Sequence, residues 1–265
     1  MKSKLIAVLA LLLAAVLVLA GCSSSDSDDG DSSGANVTAA GQPKVTLTVF
    51  AAASLKKSFT ALADEFSTEH PNVEVKLNFD GSQALVTQIE QGADVDVLAT
   101  ADEKNIAKLG DKVTDPKVFA TNVLTIVTAP GNPKNIRSLP DLMKRDVTTV
   151  ICAEDVPCGS ATAQVEKNTG IDIKPVSEET AVTGVLTKVQ TKQADAGLVY
   201  VTDAVGAGDS VTAVGDPAFA AVVNSYPIAT VTATENAQTA QEFVDMVLGP
   251  QGTAVLQPMG FGPTS

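Results

Sequence analysis

Residues 45–66, VTLTVFAAASLKKSFTALADEF, decide how this chain is read. Val45–Phe50 is rich in β-branched residues and alternates, as a strand does. Phe59, Leu62, Ala63 and Phe66 then recur at i, i+3, i+4 and i+7, the spacing of a helix with one buried face. Only a run of alanines and Ser54 separates the two, and Ser54 is expected at the helix N-cap. A strand that passes through a small turn straight into a helix is the unit from which α/β folds are assembled.

The unit recurs outward from this stretch. His70-Pro71 stops the helix. Val73, Val75, Leu77 and Phe79 alternate with polar residues and predict a strand buried on one face, followed by a helix from about Ser82 to Gln91. A strand at Val95–Ala99 and a helix near Glu103–Leu109 complete a first set. A second set has strands at Asn122–Thr128, Thr148–Cys152 and Ala196–Val201, with helices at Ala161–Asn168 and around Val182–Val189. Ile228–Thr232 and a helix over Gln238–Leu248 close the chain. Two βα sets predict two lobes, and the similar segments Asn122–Val127 and Ser225–Thr230 are read as the crossings between them. No internal sequence repeat is found.

Composition excludes several classes. With 31 acidic against 18 basic residues the formal charge is −13, the wrong sign for a nucleic-acid partner. One histidine and three cysteines leave little for a zinc site, and no bare-cation site is expected. At the N-terminus, Lys2 and Lys4 precede an apolar run from Leu5 to Ala20, the form of a secretory signal over residues 1–21. The run is shorter than the roughly 20 residues of a spanning helix. Leu19-Ala20-Gly21-Cys22 resembles the lipobox of bacterial lipoproteins, which places the lipid on Cys22. Residues 22–43, rich in Ser, Asp and Gly, read as a flexible tether. Residues 44–265 then carry 16 basic and 27 acidic residues, a net −11.

Three turns have one physical form, a strand end followed by a small segment opening a helix: Phe50–Leu55, Phe79–Gln83 and Val156–Ser160. Each helix start leaves unpaired N–H groups and partial positive charge, which favour an anion. Singly, a serine in such a turn is more often a simple cap. The turns become a site only if they converge.

The stretches AAASLKKSFTALADEF, NFDGSQALVTQIEQGADVDVLATADEKNIAKL, EDVPCGSATAQV and QADAGLVYVTDA resemble the periplasmic molybdate-binding proteins of ABC transporters, from about residue 45 to the closing LQPMGFGP. The resemblance implies a two-lobed periplasmic binding protein of type II. Each lobe would be a mixed, mainly parallel sheet flanked by helices, joined by two crossing segments. The lobes would comprise residues 44–122 with 228–265, and 123–227. It implies a monomer that binds molybdate, and tungstate with it, without a cofactor, and delivers the anion to an ABC permease. The protein would be held by its lipid at the outer face of the cytoplasmic membrane. The family's anion ligands match the hydroxyls of Ser54, Ser82 and Tyr200 and the turns at Cys158 and Val182. Two positions depart from the pattern: Cys158 stands where alanine is common, and Thr183 follows Val182 where arginine is frequent.

A proton-free dianion calls for a shell of donors only, which neutral hydroxyls and amides supply. Phosphate keeps a proton and would want a carboxylate, for which Asp80 and Asp155 are the nearest candidates, although both read as turn or surface residues. Sulfate, also proton-free, would be rejected only by size. In an exported protein Cys152 and Cys158 are expected to form a disulfide; two small buried thiols are the alternative. A catalytic serine would need a base, and His70, beside Pro71, reads as a surface residue. No G-x-S-x-G, H-E-x-x-H or P-loop pattern occurs. A ferric site built on Tyr200 and Tyr226 is disfavoured by their separation in sequence. A non-transport surface lipoprotein is the remaining reading.

Overall fold

The computed structural model describes residues 43–264. The signal segment, Cys22 and the tether up to residue 42 lie outside the described residues. No helix among the described residues is long and apolar enough to cross a membrane.

The first half runs β1 (Val45–Ala52), α1 (Lys56–Glu69), β2 (Val73–Asp80), α2 (Ser82–Glu90), β3 (Val97–Ala99) and α3 (Glu103–Ile106). The long strand β4 (Val113–Thr128) leads into β5 (Thr149–Cys152), α4 (Pro157–Thr169), β6 (Ser177–Glu179), α5 (Val182–Gln190), β7 (Ala196–Tyr200), α6 (Val201–Ala207) and β8 (Thr212–Val214). The chain returns on β9 (Val223–Val231) and ends with α7 (Ala237–Leu248) and α8 (Pro250–Leu256).

The strand order is β2-β1-β3-β9-β4-β7-β5-β6, with β8 also on β4. The pairings of β1 with β2 and β3, and of β5 with β6 and β7, are parallel. Each antiparallel pairing involves β4 or β9. In each half the first strand lies in the middle, the second at the edge and the third beside the crossing pair. An aspartate heads the third strand of both halves: Asp96 accepts the Thr48 N–H at 2.6 Å and Asp195 the Thr148 N–H at 2.8 Å. The halves thus share a plan that the sequence, lacking a repeat, does not display.

Helix α1 forms as its spacing predicts, with Phe59, Leu62, Ala63 and Phe66 all buried. Phe59 and Phe66 pack against Phe243 of α7, with ring centroids 6.2 and 5.3 Å apart, and Phe59 meets Phe119 of β4 at 5.7 Å, which holds α1 against the sheet. Several expectations need correction. The crossing strands are longer than Asn122–Val127 and Ser225–Thr230, because their pairing continues from Val113↔Val231 to Val123↔Val223. Strand β3 starts at Val97, and the helix read as Glu103–Leu109 is one α turn followed by a 3-10 segment, Ala107–Lys112, broken at Gly110 with φ 52°. Strand β2 lies at the sheet edge, so Val75, Leu77 and Phe79 are only half-buried. Two short strands, β6 and β8, and helices α6 and α8 carried too little periodicity to be foreseen.

Candidate functional site

The carboxyl ends of β1, β2, β5 and β7 open onto one small cleft, with a free volume of only about 10 Å³. Its lining includes Ser54, Ser82, Cys158, Val182 and Tyr200, together with Asp80, Gly81 and Ala101. All five residues singled out in the sequence therefore meet in one place. Ligands of open α/β sheets bind beyond strand carboxyl ends, as the cleft lies here.

Four helix starts face the cleft. The 3-10 turn Ala53–Leu55 that opens α1 follows Ala52, α2 follows Gly81, α4 follows Val156 and α5 follows Ala181. None has a side-chain cap. In α4 the first intrahelical bond is Ser160 N–H to Val156 C=O, so the N–H groups of Cys158 and Gly159 precede the ladder. In α5 the Gly184 N–H bonds the Ala181 carbonyl, leaving those of Val182 and Thr183 ahead of it.

The expectation that Ser54 caps a helix is corrected. It lies within the 3-10 turn, and its hydroxyl instead meets the Tyr226 hydroxyl at 3.0 Å. Ser82 is the first residue of α2, and its hydroxyl accepts the Ala101 N–H at 3.0 Å. The Tyr200 hydroxyl accepts from Asn224 Nδ2 at 2.9 Å. Burial pushes the phenols of Tyr200 and Tyr226 far above their ordinary range, so both keep their protons. Each of the three hydroxyls lining the cleft thus has a hydrogen-bond partner behind it, and those of Ser82 and Tyr200 accept there.

Close approach shapes two of the turns. A Cβ on Gly159 would lie 1.8 Å from the Ala153 carbonyl oxygen, and one on Gly81 would lie 2.3 Å from that of Thr180. The Gln83 side chain donates to the same Thr180 carbonyl at 2.9 Å, so the α2 turn rests on the segment ahead of α5. Cys152 and Cys158 are bridged, with Cα atoms 5.7 Å apart, tying the end of β5 to the first turn of α4.

Asp80 also lines the cleft, where one carboxylate oxygen accepts the Gly81 N–H at 2.7 Å. The expectation of a turn or surface residue is corrected: Asp80 is the last residue of β2, half-buried in the cleft. Asp155 is exposed and does not line it. His70 stacks on Phe66, with ring centroids 4.2 Å apart, away from the cleft. Tyr200 and Tyr226, distant in sequence, are neighbours with ring centroids 5.9 Å apart. Among the described residues no group of three or more His, Cys, Asp or Glu could hold a metal ion. Sequence reasoning missed Asn122, Asn224 and Ala101, which contact the hydroxyls from behind. The two asparagines stand on strands that also carry threonines and a serine, so the sequence held no signal that singled them out.

Sheet order, strand-end cleft and uncapped helix starts define a two-lobed solute-binding fold. The chain belongs to the bacterial extracellular solute-binding proteins, whose family model matches residues 47–262. It is 45% identical over 252 residues to the molybdate-binding protein ModA of Mycobacterium tuberculosis, covering 94% of this chain and 95% of that one. Among solved structures, the periplasmic molybdate-binding protein of Azotobacter vinelandii matches with TM-score 0.72 at 20% identity, over 83% of this chain and all of that one. The sulfate-binding protein SubI of M. tuberculosis matches with TM-score 0.73 at 18% identity, over 83% and 88%. Two neighbours this alike in fold carry names with different anions, so the fold alone does not choose the anion.

Proposed function

We propose that this protein captures molybdate, and tungstate of the same shape and charge, outside the cell and delivers it to an ABC permease. The observation that carries the reading is that three hydroxyls and four uncapped helix starts surround one cleft. Ser54, Ser82 and Tyr200 donate through their hydroxyls, and Cys158 and Val182 through their backbone N–H groups. Because the Cys158 contribution is a main-chain group, cysteine in place of alanine leaves it intact. The relative at 45% identity bears a molybdate-binding name, which favours this anion over sulfate.

The lobes divide at the crossing strands, as residues 44–122 with 228–265 and residues 123–227. In support, β4 pairs with β9 as far as Val123↔Val223 and with β7 from Leu124↔Tyr200 onward. The role is binding, not catalysis, and the cleft lining contains no histidine. Cys22 carries the lipid that holds a monomer at the outer face of the cytoplasmic membrane, with residues 22–43 as its tether.

Calorimetric titration of the purified protein with molybdate, tungstate, sulfate and phosphate tests the reading. Heat with molybdate and tungstate, and at least a hundredfold weaker binding of sulfate, is the expected result. Absence of heat with both metal oxyanions rejects it. Asp80 in the lining favours one second reading, a proton-bearing anion such as phosphate. Under that reading phosphate binds tightest and Asp80→Asn abolishes its binding.

A further inference from the structure

Asn122 and Asn224 stand directly opposite each other on the antiparallel pair β4–β9 and so share one face of the sheet. Both are buried, 4% and 8% exposed, Asn122 within the long strand β4 and Asn224 at the start of β9. Buried amides are costly unless their hydrogen bonds are made, so their partners account for their presence.

Asn224 Nδ2 donates to the Ala101 carbonyl and to the Tyr200 hydroxyl, both at 2.9 Å. Asn122 Nδ2 donates to Thr202 Oγ1 at 2.8 Å and to the Tyr226 hydroxyl at 3.3 Å, while its Oδ1 accepts the Val123 N–H at 3.0 Å. Neither amide is free to turn over. A carbonyl only accepts, so Asn224 must present nitrogen to Ala101; an N–H only donates, so Asn122 must present oxygen to Val123. The main chain thereby fixes which end of each amide faces the tyrosines, and that end is a donor.

The direction of the protons follows. Tyr200 oxygen accepts from Asn224, so its own proton points to the cleft. Tyr226 oxygen accepts from Asn122 and meets Ser54 Oγ at 3.0 Å, so in the arrangement inferred below its own proton goes to Ser54. In that arrangement Ser54 accepts and its own proton is free to turn to the cleft. Ala101 holds Asn224 through its carbonyl and gives its N–H to Ser82 Oγ, so Ser82 is likewise an acceptor behind and a donor in front.

Resting on the oxyanion reading above, we infer that Asn122 and Asn224 are positioning residues that set the hydroxyls of Ser54 and Tyr200 as donors, making the cleft selective for proton-free oxyanions. Neither asparagine lines the cleft; they act through the hydroxyls they face. With one lone pair of each hydroxyl already occupied from behind, an oxyanion without a proton is met by the remaining O–H donors.

Two double-mutant cycles test this on the full protein. The titrant is whichever of molybdate, tungstate, sulfate and phosphate binds the unaltered protein tightest. Asn224→Leu should weaken binding at least tenfold in the unaltered background, yet less than threefold when Tyr200→Phe has already removed the hydroxyl. Asn122→Leu should behave in the same way against Ser54→Ala. A merely structural role predicts equal losses in both backgrounds and overturns the inference, as does a loss under threefold in the unaltered protein. If a leucine variant does not fold, judged by thermal melting, the alanine variant enters the same cycle. Tightest binding of sulfate would reject molybdate as the cargo while leaving the cycles decisive. Tightest binding of phosphate, or of none of the four, overturns the inference.

Discussion

Helix starts in this molecule are finished in two ways. Asp102 caps α3 with its own carboxylate, accepting the Asn105 N–H at 2.8 Å, and Asp216 does the same for the 3-10 turn Pro217–Ala221, accepting the Ala218 N–H at 2.9 Å. The four starts around the cleft instead follow Ala52, Gly81, Val156 and Ala181, which offer no side-chain acceptor there. Helices α7 and α8 also lack side-chain caps, but they begin at exposed residues, where water can serve. Among the described residues, it is at the cleft that uncapped starts gather around one space. A capped start is satisfied and indifferent to anions; an uncapped one gains when an anion arrives.

The largest effect should come from spoiling the geometry of an uncapped start. Gly159→Ala forces a Cβ into the Ala153 carbonyl, and α4 cannot move away while the disulfide holds its first turn. Urea unfolding should show a loss of about 3 kcal/mol or more, and titration at least a hundredfold weaker anion binding. Unchanged stability and affinity would show that the close packing of this turn is dispensable.

Next is Asp203, a third kind of helix-start carboxylate. It lies in the first turn of α6, accepts the Tyr200 N–H at 3.0 Å and is only 8% exposed. Burial pushes its carboxyl up to about 7. Between the ordinary value of 3.8 and about 7 the folded protein holds a proton that the unfolded chain has released. Stability from this group therefore falls as pH rises through that window, and the loss is complete above it. Asp203→Asn should flatten the profile and raise stability at pH 8 by a few kcal/mol, with a ceiling near ~4 from the shift. Denaturation at pH 5 and pH 8 reads it; an unchanged difference between the two pH values would remove Asp203 as the cause.

Converting one kind of start into the other should act on affinity and stability in opposite directions. Ala181→Asp gives α5 a cap like that of α3 at a residue whose backbone is already extended, φ −153° and ψ 152°. Stability should rise by about 1 kcal/mol while anion affinity falls at least tenfold, because the carboxylate occupies the N–H groups and repels a dianion. Unchanged affinity would mean that the start of α5 does not face the anion. The smallest effect belongs to the reverse change. Asp102→Ala should cost about 1 kcal/mol by thermal melting and alter affinity by less than threefold.

Much of the fold was legible because it rests on local patterns. The i, i+3, i+4, i+7 positions of α1 are the buried ones, and the strand-to-helix turn at 50–55 stands where it was read. The edge strand β6 and the short β8 escaped because three-residue strands carry no usable period. The five cleft residues were legible through family resemblance, and the structure brings them together. The roles of the serines were not. Both were read as possible caps, yet their hydroxyls are engaged by Tyr226 and Ala101, 172 and 19 residues away along the chain.

The sequence by itself determined the α/β class and the order of most elements, because periodicity and turn chemistry act over a few neighbours, while the family and the residues to watch came from resemblance. Its net charge of −13 gave no guide to the sign of the proposed ligand, since charges dispersed over a surface are screened while helix-start dipoles act at contact. Tertiary structure alone decided that four helix starts converge, that Tyr200 and Tyr226 lie side by side, and that Asn122 meets Asn224 across the crossing strands. These are long-range pairings fixed by strand register, and a hydroxyl's direction depends on which partner the register places behind it.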